Sequence, residues 1–182
     1  MIAAVGILEN QLLLIVGAMA LSPDYFPIAG TGFSVVRRDW YQALGGLQAL
    51  FVGYVVGALC AFALAELFAA FDIVSAVDIP SRQLILFISK PDALSVVVAV
   101  LAGIAGALAI TLPDARGLVG VFVSVTTIPA AANIGVALAA RNRHEMVGAA
   151  VQLAVNVVSL IVAGSITLEI RHRLRRSGVG GI

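Results

Sequence analysis

The stretch Val16-Gly17-Ala18-Met19-Ala20-Leu21-Ser22-Pro23-Asp24-Tyr25-Phe26-Pro27-Ile28-Ala29-Gly30 decides how this chain is read. It is apolar at both ends, yet two prolines, a hydroxyl and a carboxylate stand in its middle. A second stretch of the same kind is Val119-Gly120-Val121-Phe122-Val123-Ser124-Val125-Thr126-Thr127-Ile128-Pro129-Ala130-Ala131-Ala132-Asn133-Ile134-Gly135. A plain membrane helix would carry Leu or Val at those middle positions. Lipid offers no water to freed backbone groups, so a broken helix survives at membrane depth only when buried in protein or lining a wet cavity. Paired interrupted segments in the two halves of a chain point to a transporter's binding site.

Composition sets the environment. Of 182 residues, 61% are hydrophobic and 12% charged, against roughly half and a quarter in soluble domains. This reads as an integral membrane protein, and several runs reach the roughly 20 apolar residues that cross a bilayer. The formal charge of +1 gives no nucleic-acid signal, because the basic residues fall in loops and at the C-terminus. The single Cys60 excludes a disulfide framework and a Cys-ligated metal site. No cofactor motif is visible, and no signal peptide, since the N-terminus has no basic n-region.

Residues 1–8 are too short to span. The start of the first helix, with a domain ahead of it, is expected to lie before residue 1; the alternative is a short N-terminus along the interface. For the first full span two choices exist. Residues 2–21 would bury Glu9 in a regular helix, at a cost of about 2.5–3.5 kcal/mol or more on insertion scales. Residues 11–36 put Asp24 deep instead, where a proline-flanked break can solvate a carboxylate, and this choice is preferred.

Further spans are expected at about residues 41–68, 92–112, 118–140 and 146–170. Trp40 and Tyr41 suit an interface. Gly53, Gly57 and Ala61 form one small-residue face, and residues 102–107 another. With residues 1–8 counted as the remnant of a helix, the chain forms one transmembrane domain of two three-segment repeats. Repeat one covers about residues 1–70 and repeat two about 92–170, with a loop at 72–91 and a basic tail at 171–182. Three segments per half make the repeats inverted. A shift of 103 residues pairs Gly17 with Gly120, Gly32 with Gly135, Arg38 with Arg141, Gly45 with Gly148 and Glu66 with Glu169. Arg37, Arg38, Arg116 and the four tail arginines lie on one side, opposed by Arg82, Lys90, Arg141 and Arg143. The positive-inside rule then puts the C-terminus in the cytoplasm of a multi-pass cell-membrane protein.

Gly17-Ala18-Met19 with Ser22-Pro23 and Pro27-Ile28, then Ala102 through Ala107, then Gly120 to Pro129 and Gly135, resemble the prokaryotic "uncharacterised hydrophobic domain" family, domain of unknown function number 389. The resemblance covers nearly the whole chain. It implies a membrane domain of about six segments, often behind a cytoplasmic N-terminal domain, with transport the usual suspicion. Members often have apolar or Gly residues where this chain has Asp24-Tyr25-Phe26, and a second proline where it has Ala130.

Several polar residues stand at membrane depth. Ser22-Pro23-Asp24 reads as a helix start, with Ser22 as N-cap and Asp24 in the first turn. Asp24 either offsets the helix dipole or, with Tyr25 beside it, contacts a cation, a proton or a substrate hydroxyl. Pro129 cannot donate to the carbonyl of Val125, and Ser124, Thr126, Thr127 and Asn133 surround that expected break. Their hydroxyls either bond back to their own helix or face a ligand. Gln152, Asn156 and Ser159 make a polar stripe on the last helix, read as packing glue worth about 0.6–2 kcal/mol per bond or as one wall of a polar cavity. Glu169 is expected to pair with Arg173. No catalytic constellation is present, so the chain is read as a non-enzyme.

The function expected is a secondary transporter for a small polar solute, coupled to H+ or Na+. Its site would lie at the midplane between the two breaks, built from Ser22, Asp24, Tyr25, Ser124, Thr126, Thr127, Asn133, Gln152 and Asn156. An oligomeric channel and a membrane sensor or scaffold are the alternatives. The small-residue faces at Gly53-Gly57 and 103–107 can serve within one chain or between chains, and a homo-oligomer is expected.

Overall fold

The computed structural model describes residues 1–22, 24–73, 93–110 and 116–176. Among them all regular structure is helical, in seven α-helices. These are α1 (Ile2–Leu8), α2 (Leu12–Ala20), α3 (Tyr25–Val36), α4 (Trp40–Ala70), α5 (Ala93–Ile110), α6 (Arg116–Ala139) and α7 (Arg143–Arg176). Two stretches, Trp40–Ala70 and Arg143–Leu174, are long and apolar enough to cross a membrane. At 1.5 Å per residue, the 31 residues of α4 reach roughly 46 Å, well over the ~30 Å of bilayer hydrocarbon. The expected features at 74–92, 111–115 and 177–182 lie outside the described residues.

Helices α3 and α6 form the centre. Each packs on both α4 and α7, while α2 covers α6 and α5 covers α7 and α6. Small residues make this closeness possible. A Cβ on Gly135 would collide with the carbonyl oxygen of Ala58 and lie 2.8 Å from Phe62 N and Ala61 Cβ. A Cβ on Gly103 would sit 2.7 Å from Leu160 O. Gly32 is looser: its Cβ would be 3.8 Å from both Ile161 O and Ser165 N, and its carbonyl accepts a 3.2 Å bond from Ser165 Oγ. Gly53 and Gly57, by contrast, meet no atom within 4 Å. Of the two small-residue faces, the one around Gly103 is used inside the chain; on α4, Ala61 is buried against Gly135 while Gly53 and Gly57 have open space beside them among the described residues.

The turns α3–α4 and α6–α7 are built alike. Arg38 (φ 59) and Arg141 (φ 55) both take the left-handed conformation. Arg38 N donates to Val35 O at 3.1 Å and Asp39 N to Ser34 O at 2.9 Å; Arg141 N donates to Leu138 O at 3.1 Å and Asn142 N to Ala137 O at 3.0 Å. Those two bonds are the Schellman pattern that satisfies the last carbonyls of a helix. The next helix is then capped by a side chain in each case. Asp39 Oδ1 accepts from Gln42 N at 3.1 Å, and Asn142 Oδ1 accepts from Glu145 N at 3.2 Å.

Three expectations change. The second interrupted segment is one continuous helix, α6, with Pro129 inside it. Proline removes one bond and costs about 3 kcal/mol in an isolated helix, a penalty that packing against α4 and α7 offsets. The first segment is interrupted as expected, between Ala20 and Tyr25, but its second helix starts later than Pro23, with Asp24 as N-cap. Pro27 then falls in the first turn of α3, where a missing N–H leaves no intrahelical bond unmade. The loop expected at 141–145 is shorter, because α7 already begins at Arg143. Glu169 and Arg173 do pair, at 2.6 Å.

Candidate functional site

Asp24 stands where α2 ends and α3 begins, and its side chain makes no cap bond to the helix it precedes. The carboxylate turns inward instead and is 7% exposed. Three hydroxyls from three parts of the chain donate to it. Ser22 Oγ, in the interruption itself, reaches Oδ1 at 2.7 Å. Thr127 Oγ1, from the middle of α6, reaches Oδ2 at 2.5 Å. Tyr54 Oη, from the middle of α4, reaches the same Oδ2 at 3.2 Å. Thr127 is fully buried.

The chemistry follows from the donor count. An ionised carboxylate only accepts, and a hydroxyl can always turn its proton toward it. Each such bond to a charged acceptor is worth about 1.5–3 kcal/mol, while burying the charge costs several kcal/mol. The two sums are of similar size, so the three hydroxyls together can hold the buried carboxylate. Protonation would turn one Asp24 oxygen from acceptor to donor and force one hydroxyl to rotate away.

Sequence reasoning brought Ser22, Asp24 and Thr127 forward, and the fold unites them. It missed Tyr54. The signal was present, since Tyr54 carries the only side-chain hydroxyl between Tyr41 and Cys60, in the middle of a largely apolar helix. The side chains of Tyr25, Ser124 and Thr126 lie outside the described residues. Asn133 is buried and turns to another partner: with Asn142 it hydrogen-bonds the carboxylate of Glu145. Gln152 Nε2 donates to Asn156 Oδ1 at 3.5 Å, a long bond between two buried amides.

Beside the Asp24 cluster lies a cleft of about 520 Å³ between α4 and α7, floored by Ile134 of α6. It was expected to be polar, with Gln152 and Asn156 as one wall. Its walls are aliphatic instead, apart from Phe51 and Tyr54. At 3.6 residues per turn, Leu153, Ala154, Val157 and Val158 share one face of α7, and Gln152 and Asn156 fall on the opposite one. Leu50, Phe51, Tyr54 and Val55 form the facing wall on α4. These four precede Leu153, Ala154, Val157 and Val158 by the separation of 103 that also divides Asp24 from Thr127. Tyr54 therefore joins the two features: its ring lines the cleft and its hydroxyl holds the carboxylate.

The family model described as "Domain of unknown function (DUF389)" matches residues 19–162. The chain belongs to this family. The DUF389 region takes in Asp24, Tyr54 and Thr127 together with every residue of the cleft. No curated protein and no solved structure matches the chain.

Proposed function

We propose that this DUF389 chain is a multi-pass protein of the cell membrane, C-terminus cytoplasmic, in which two inverted repeats build a proton-coupled secondary transporter. The solute is a small molecule bearing a polar group, and Asp24 is the coupling residue. One observation carries the reading: a buried carboxylate, midway along the helices, bonded at 2.5 Å to Thr127 of the other half. An intramembrane carboxylate with named partners is a functional site by default.

The inverted arrangement is supported by paired contacts. In a twofold relation, exchanging the halves turns a contact between i and j into one between i plus the offset and j minus it. With the offset of 103 that separates Asp24 and Thr127, Gly32 against Ile161 and Ser165 becomes Gly135 against Ala58 and Phe62. Both sets of neighbours occur. The same offset superposes Arg38 on Arg141, two of the four left-handed residues that close Schellman turns among the described residues. Asp24 and Thr127 are each other's counterparts, and a residue touches its own counterpart only on the axis. The site is then central, where alternating access by rocking of repeats requires a binding site. H+ is preferred to Na+ because all three hydroxyls already donate to the carboxylate, an arrangement that a proton rearranges directly.

The test is flux in proteoliposomes. A solute selected by thermal-shift screening of polyols, amino acids and organic cations should accumulate uphill when a pH gradient is imposed. Asp24→Asn should abolish the pH-driven accumulation. Ohmic current would replace the carrier by a channel, and unchanged pH-driven uptake in Asp24→Asn would remove Asp24 from the mechanism.

A further inference from the structure

We infer that the cleft between α4 and α7 binds an amphiphilic organic cation, its apolar body against Leu50, Phe51 and Leu153 and its charged end directed past Tyr54 at Asp24. This deepens the transport reading, on which it rests, by naming the class of substrate. The cleft volume, about 520 Å³, falls within the ~300–1,000 Å³ typical of small-molecule sites. Its lining supplies apolar contact and one hydroxyl. Phe51 is 71% and Val158 60% exposed at its rim. Both belong to the middle of long apolar helices, so the mouth opens at the depth of the hydrocarbon. Molecules reach such a mouth by partitioning into the bilayer, which a small hydrophilic solute does poorly and an amphiphile does well.

Charge selects among amphiphiles. Behind the single hydroxyl of the cleft stands the Asp24 carboxylate. An anion is repelled there and a neutral hydrocarbon leaves the carboxylate unused, whereas a cation gains a buried counter-ion. Tyr54 is the movable part. Its 3.2 Å bond is the longest of the three to the carboxylate, and of the three donors Tyr54 is the one that lines the cleft, so its rotation opens Asp24 in that direction. Ser22 and Thr127 would keep the carboxylate oriented meanwhile.

Equilibrium dialysis of the full chain in lipid nanodiscs tests this, with empty nanodiscs subtracted. The probes are tetraphenylphosphonium and tetraphenylborate, matched in shape and opposite in charge. Tetraphenylphosphonium should bind saturably at one per chain, and tetraphenylborate should not. Asp24→Asn should weaken the cation at least tenfold. Ala154→Trp, which fills the cleft from an exposed position, should do the same, and Ala150→Trp on the same wall repeats the test should the first variant fold poorly.

Saturable binding of both probes, or no effect of Asp24→Asn, would make the cleft a seat for lipid tails and overturn the proposal. Absence of saturable binding would overturn it too. So would a disulfide-linked dimer of Phe51→Cys in a Cys60→Ala background, since a second copy would then cover the mouth. If Asp24-dependent, pH-driven uptake of another solute persists while tetraphenylphosphonium fails to bind, only the cleft assignment falls. If the cation binds as described but pH-driven flux ignores Asp24→Asn, only the coupling assignment falls.

Discussion

Thr127 Oγ1 donates to Oδ2 of Asp24 across 2.5 Å of space and 103 residues of sequence. The same 103 separates Arg38 from Arg141, the two left-handed residues that close the equivalent turns. One number thus links a buried polar contact to the geometry of two turns. It ties the proposed site to the way the halves meet.

The hydrogen bond predicts a graded loss. Thr127→Val keeps the shape and removes the donor, so the folded state should lose about 1.5–3 kcal/mol, and Thr127→Ser should recover most of it. Tyr54→Phe should lose less, since its bond is longer. Equilibrium unfolding of the solubilised protein reads these differences. A double-mutant cycle of Thr127→Val with Asp24→Asn should be clearly non-additive; additivity would mean that the pair does not interact.

Gly32 and Gly135, 103 residues apart, should respond unequally to substitution. Gly135→Ala pushes a methyl group into the backbone of Ala58 and Phe62, and overpacking of this kind typically costs about 1–3 kcal/mol or more. Gly32→Ala meets only ordinary contact distances and should be neutral or slightly stabilising, because Ala is the better helix former by about 1 kcal/mol. Thermal unfolding of the two variants side by side checks the order.

The two arginines in the left-handed region carry local strain of roughly 1–2 kcal/mol. Arg38→Gly and Arg141→Gly should each raise the unfolding temperature if conformation dominates. A fall in both would mean that the side chains, through their charge at the helix ends, matter more than their backbone.

The open face of α4 makes association testable. A Cβ at Gly53 or Gly57 meets no atom within 4 Å, so Gly53→Leu and Gly57→Leu should fold near wild type. If this face joins copies through close backbone approach, the variants should elute smaller on size exclusion with light scattering. An unchanged mass would assign the face to lipid.

Much was legible beforehand. The helical class and the separation of α2 from α3 ahead of Asp24 follow from local chemistry: runs of apolar side chains, and a proline-flanked carboxylate that interrupts them. The offset could also be found, because Arg and Glu are scarce enough here for their recurrence to register. Other features were beyond one-dimensional reading. Pro129 looked like a break but sits in an unbroken helix, since tertiary packing can outweigh one missing hydrogen bond. Gln152 and Asn156 were visible as a stripe, yet a stripe does not say which neighbour it faces, and theirs is turned from the cleft. Tyr54 was passed over because one hydroxyl in an apolar helix has no local partner to betray it. By itself, then, the sequence determined which polar residues stood apart in an otherwise apolar chain. Only the tertiary structure decided which of them met, because a hydrogen bond between positions 24 and 127 is a property of how α3, α4 and α6 pack and of nothing within any one of them.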